Sequence, residues 1–238
     1  MMNITTERTD TPQVSASPIS RARSVNWATW MPPVFLILAA VLLLGSIPLP
    51  YWQMHLDAPQ YNYRGGLDVV IYINSMTGKD PEFDELRELN GLNHYIGMRK
   101  LDEAAVFERS IAIPSLIVFT VLLATVAFAA VRKVRWQKWS LILTLPPLLF
   151  PLVFIADLYY WLRDSGQNLD PTAALSSTIK PFTPTMLGKG EVGQFATDAS
   201  LQTGWYLALV ASILILVAVV WIVVDLRKQR AAAQKVES

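Results

Sequence analysis

Four stretches of the chain are apolar on every side, at residues 31–49, 111–131, 139–161 and 205–224. Each reaches about 20 residues, the length needed to cross a bilayer as a helix. Between the first two the period shortens. Tyr51–Asp57 alternates, with Trp52, Met54 and Leu56 on one face, and predicts a strand. Ala58–Tyr61 and Arg64–Gly66 turn the chain, and the β-branched run Leu67–Asn74 predicts a second strand. Over 82–96 the period becomes helical: Phe83, Leu86, Leu89, Leu92 and Ile96 recur every three or four residues, and Gly97 ends the helix. Asp102–Glu108 predicts an interfacial helix leading into the second span. The segment 162–204, with Pro171, Pro181, Pro184 and four glycines after residue 187, shows no clear period and reads as irregular, draped over the first loop.

The fold class that follows is an all-α membrane protein of four transmembrane helices. A small α/β extracytoplasmic cap is formed by the loops 50–110 and 162–204. Residues 1–30, rich in Ser, Thr, Pro and Arg, read as a disordered cytoplasmic arm; 132–138 is a tight cytoplasmic turn and 225–238 a short polar tail.

Charge sets the orientation. The two termini and the 132–138 turn carry eleven basic and four acidic residues, whereas the two long loops carry nine basic and fourteen acidic. The positive-inside rule therefore places both termini in the cytoplasm and both loops outside. All eight tryptophans lie at or near span ends, as an interfacial belt requires. A mean hydropathy of +0.34, with 16% charged residues, agrees with a membrane protein rather than a soluble domain. The near-zero net charge gives no field for nucleic acid.

The absence of cysteine excludes disulfides, thiolate metal sites, iron–sulfur clusters and a Cys nucleophile. Neither histidine is in a span, which argues against a haem held by two imidazoles within the bilayer. No phosphate-binding motif points to a nucleotide, and the spans hold too few titratable residues for a membrane enzyme. What remains for chemistry is outside. Both histidines (His55 and His94) and four of seven methionines (Met54, Met76, Met98 and Met186) fall in the two loops. Thioether and imidazole without thiolate suit Cu(I) in an oxidising compartment. His94 and Met98 are four apart, on one side of the helix if it persists that far; Met54 and His55 are adjacent but on opposite faces of a strand. Core filling is the commoner task of a methionine such as Met54, and His94 serves equally well as a satisfied loop histidine. Asp157, in the outer third of the third span, reads as an interfacial acid paired with Arg163 or Arg109.

Three segments resemble a known family. They are Trp52–Tyr61 (WQMHLDAPQY) with Gly66-Leu67, Leu89–Met98 (LNGLNHYIGM), and Trp161–Pro171 (WLRDSGQNLDP) continued by Lys180–Pro184 and Leu187-Gly188. Together they are similar to small multi-span bacterial membrane proteins encoded beside the genes that mature the copper enzyme nitrous oxide reductase. The resemblance implies an accessory role in Cu(I) supply, not an enzyme, with His94 and Met98 as leading ligands and Met54 and His55 after them. A periplasmic copper chaperone, the reductase or an ABC-type permease would be its partner. Related sequences often carry a histidine where this chain has Gln167, which would leave fewer donors here. The alternative is a docking subunit of a membrane transporter or electron-transfer complex that binds no metal. Tyr61, Asn93, Tyr95 and Phe182 would then belong to the contact surface.

Overall fold

The computed structural model describes residues 27–132, 137–192 and 194–237. The arm over 1–26 and most of the 132–138 turn lie outside the described residues. Helices α1 (Trp27–Ser46), α3 (Val106–Val131), α4 (Gln137–Gln167) and α5 (Thr203–Glu237) form the bundle. Strands β1 (Trp52–Asp57), β2 (Leu67–Ile71), β3 (Met76–Thr77), β4 (Gly188–Val192) and β5 (Phe195–Leu201) form one antiparallel sheet, to which helix α2 (Glu85–Ile96) is added.

Three helices, within 106–131, 141–167 and 203–228, are long and apolar enough to cross a membrane. The apolar part of α1 is shorter, Trp30–Ser46. It nonetheless packs lengthwise between α3 and α5, while α4 packs against α3 and α5 from the other side, so the four close into a ring. The ring's core is small as well as apolar: Ala39, Ala208, Ala211 and Ala218 are fully buried beside Leu36, Leu43, Leu116, Leu123 and Ile215. Among helices in lipid, transfer out of water contributes little, and such small residues stabilise by letting backbones approach. Pro146, Pro147 and Pro151 sit inside α4, which stays one uninterrupted helix. The Trp205 indole donates to the Pro151 carbonyl at 3.1 Å, one way a neighbouring helix supplies a partner beside a proline.

At one end of the bundle the sheet runs in the order β3-β2-β1-β5-β4. Register follows the alternation read from the sequence. Trp52, Met54 and Leu56 share their face with Ile71, Val69 and Leu67 of β2 and with Leu201, Ala199 and Thr197 of β5. That face packs against α2 and against Leu158 and Leu162 near the outer end of α4. Burying side chains of this size contributes roughly 1.5–3 kcal/mol each.

The loops differ from expectation in four places. Residues 188–201 are not irregular: β4 and β5 complete the sheet, and β5 lies beside β1 at its centre. The strand expected over 67–74 ends at Ile71, where the chain turns into the short β3. Asp102–Glu108 is no continuous helix. A 3-10 turn over Leu101–Glu103 is followed by Ala105 in the left-handed region (φ 51°), and α3 begins at Val106. The tail is helical, since α5 continues to Glu237.

Candidate functional site

The string Leu89–Met98 forms the second half of α2 and its end. Asp84 caps the helix by accepting from the Arg87 amide at 3.0 Å, and Glu85 and Glu88 suit the positive end of its dipole. Glu85 also does something no periodicity reveals. Buried, it accepts the backbone N–H groups of Asp68 (2.9 Å), Asp80 (2.9 Å) and Lys79, so a single carboxylate ties β2 and the 78–80 turn to α2. At the other end Gly97 takes φ 84°, and both its amide and that of Met98 reach the Asn93 carbonyl. The helix therefore ends at Ile96, and His94 and Met98 do not share a helical face. His94 is exposed and Met98 half-buried beyond the turn.

This helix end is where the second loop docks. The Asp170 amide donates to the Gly97 carbonyl at 2.8 Å, and the Leu175 amide to the Tyr95 carbonyl at 3.0 Å. A Cβ on Gly97 would lie 2.8 Å from the Asp170 carbonyl oxygen. The Thr172 hydroxyl and amide hold the Asp170 carboxyl below the usual carboxylate range, with a smaller contribution from His94. Asn93 is buried and donates to the Arg99 carbonyl at 3.4 Å, while Asn90 accepts from the Leu101 amide at 2.8 Å. The helix end thus supports the chain's own loops.

The other expected site residues are spread over the head. Met54 packs within the apolar face of the sheet, against both of the head's core clusters. His55 points the opposite way. Its Nδ1 lies 3.2 Å from Asp68 Oδ1, which also accepts from Gln53 Nε2 at 3.0 Å. A carboxylate held in this way favours the proton on Nδ1 and leaves Nε2 as the ring's acceptor. His55 lines an open cleft on the outer face of the sheet with Asp57, Lys189, Glu191 and Asp198. Across the strands the order Lys189, Asp198, His55, Asp68 forms one row. Among the described residues, no three His, Asp or Glu side chains are grouped so that they could hold a metal ion.

Tyr61 donates to Glu88 at 2.6 Å, and burial followed by that carboxylate pushes its phenol up to about 12. Phe182 is half-buried; its amide donates to the Gly166 carbonyl at 3.0 Å, and its own carbonyl occupies the space a Cβ on Gly166 would need. Of the residues expected at a contact surface, Tyr95 alone is more than half exposed. Gln167 donates to the Thr183 hydroxyl at 3.3 Å.

Asp157 is half-buried, but its charged neighbour is Glu108 on α3, with the Trp161 indole one turn further along α4. The expected pairing with Arg163 or Arg109 is not formed. Arg109 donates instead to the carbonyls of Asp102 (2.6 Å) and Ala105 (3.4 Å). Arg163 is exposed, and a different cation, Arg99, reaches α4 by pairing with Asp164 at 3.2 Å.

No family model matches this chain, and none of the curated proteins is significantly similar to it.

Proposed function

We propose that the chain is a bacterial plasma-membrane accessory protein, crossing the bilayer four times with both termini in the cytoplasm. Its outer head is a docking platform for a protein partner and performs no catalysis. The observation that carries this reading is the use made of the Leu89–Met98 string. The Gly97 and Tyr95 carbonyls are spent on seating the second loop against α2, and Asn93 and Met98 on closing the helix end beneath it, which leaves Tyr95 and Leu175 exposed on a braced surface. An exposed aromatic on a pre-organised backbone is the usual anchor of a contact.

The fourth crossing by α1 is supported by its lengthwise packing between α3 and α5. Exposed aromatics give the bundle a bilayer-sized band. Phe107 and Phe128 on α3, and Trp139 and Tyr160 on α4, are all more than half exposed. Each pair is 21 positions apart, roughly 31 Å along a helix and close to the hydrocarbon thickness.

Copper handling is the second reading, favoured by the accessible His94 and by the acceptor nitrogen that Asp68 leaves on His55. Cu(I) would then pass to or from a periplasmic chaperone, the reductase or a permease. One titration separates the two. Detergent-purified protein is equilibrated with Cu(I) and a competing chelator, alongside His94→Ala and Met98→Leu. The platform reading expects no competitive binding in any of the three. About one tightly held Cu(I) per chain, lost in both variants while they stay folded, would overturn it in favour of the carrier. A photo-cross-linker at Tyr95 in native membranes should capture one stoichiometric partner that a linker at Lys189 does not.

A further inference from the structure

The end of the bundle away from the head carries a charge the docking reading does not use. Arg132 follows α3, Lys138 lies in the first turn of α4, and Arg227, Lys228 and Arg230 follow the apolar part of α5. In sequence, the one acid within five positions of these cations is Asp225. The ring places α4 against both α3 and α5, so these helix ends lie at one end of the bundle. Arg132, Arg227 and Lys228 are exposed.

Depth matters as much as sign. Arg132 lies four residues beyond Phe128, and its guanidinium sits 5.2 Å from the centre of that exposed ring. Arg227 and Lys228 lie six and seven residues beyond the exposed Trp221. At 1.5 Å per residue these cations stand roughly 6–10 Å outside the aromatic band. That is the level of lipid phosphates, within about one Debye length of them. A juxtamembrane group of four to eight Lys and Arg at that level attracts anionic headgroups.

We infer that this end of the bundle is a binding surface for anionic phospholipid of its own leaflet, with Arg132, Arg227 and Lys228 as its ligands. The inference rests on the four-span reading, and the experiment separates the two. The full chain is reconstituted into vesicles of equal phosphatidylcholine and phosphatidylglycerol. Insertion is read by flotation after an alkaline wash, and retained lipid by native mass spectrometry after mild detergent extraction. Phosphatidylglycerol should be retained several-fold over phosphatidylcholine, less so when extraction is done in 0.5 M salt. Neutralising one of these charges should reduce the enrichment by no more than about five-fold. The triple variant Arg132→Gln, Arg227→Gln, Lys228→Gln should therefore float yet lose the preference. Arg132→Lys should keep it, as should Lys180→Gln with Lys189→Gln in the head. Flotation with equal retention of the two lipids, or a triple variant that keeps the enrichment, would overturn the inference alone. A chain that does not float would overturn the four-span reading as well.

Discussion

At the residue scale, identical letters carry different physics. Gly91 and Gly97 stand six apart in one string, and only the second was legible as a helix end. Nothing lies within 4 Å of a Cβ built on Gly91, whereas Gly97 combines φ 84° with the Asp170 backbone packed against it. Gly97→Ala should destabilise the head by about 1–2 kcal/mol from the left-handed backbone alone, and by more once Asp170 is displaced. Gly91→Ala should stabilise it by about 0.5–1 kcal/mol, as expected inside a helix. Thermal unfolding of both variants in detergent checks the contrast, and equal shifts would remove the docking of the second loop from the explanation. Glu85 was not legible at all. Its letter fits a helix's first turn, and only the fold brings three amides to its carboxylate. Glu85→Ala should cost on the order of 3 kcal/mol by leaving those donors without an acceptor, read as a lower denaturation midpoint.

At the scale of elements, legibility followed side-chain size. The alternation Trp52, Met54, Leu56 announces β1 because large apolar residues interleave with polar ones. β5 alternates just as strictly, but its buried residues are Thr197 and Ala199, one polar and one small, so no large apolar side chains mark the inward face. Small inward residues leave room for Trp52, whose indole donates to the Met186 carbonyl at 2.7 Å. A register test follows. Ala199→Asp places an unpaired carboxylate against Trp52 and Leu158 and should cost several kcal/mol, enough to unfold the head. Ala196→Lys, three positions earlier on the exposed face and opposite Asp57 and Glu191, should shift stability by no more than about 0.5 kcal/mol. Protease sensitivity of the 162–204 segment distinguishes them, and equal resistance would mean the strand is not in this register.

The contacts between elements also carry a pH dependence. Tyr61 and Tyr51 both have phenols raised to about 12, chiefly by burial, Tyr61 further by Glu88 and Tyr51 in spite of its hydrogen bond with Ser46. An unfolded tyrosine ionises near its ordinary value of about 10. Between these two values the unfolded chain binds fewer protons than the folded one, so stability falls as pH rises through that window. Loss of the head's fold, read by protease sensitivity, should therefore set in between about pH 10 and 12. In Tyr61→Phe the alkaline loss should be shallower, at the expense of a lower stability at neutral pH.

At the scale of the whole molecule, the apolar stretches and the charge bias foretold a bundle with two large loops on one side. The structure adds that the loops build a single sheet, through pairings between residues more than a hundred positions apart that no local pattern encodes. What the bundle leaves to experiment is the role of α1, whose apolar part is the shortest yet packs between two longer helices. The absence of cysteine makes this directly testable, because a single introduced thiol reports alone. Tyr63→Cys, exposed in the head, should react with a membrane-impermeant maleimide in intact spheroplasts. Gln229→Cys, beyond the apolar part of α5, should react only after permeabilisation. The deciding position is Arg21→Cys, ahead of α1. With four crossings it lies on the same side as residue 229 and is protected until the membrane is opened. With three it lies on the side of the head and labels at once, α1 then being a helix that returns without crossing. Immediate labelling at residue 21, with residue 229 still protected, would leave the sheet and its docking surface as described but put the N-terminus outside.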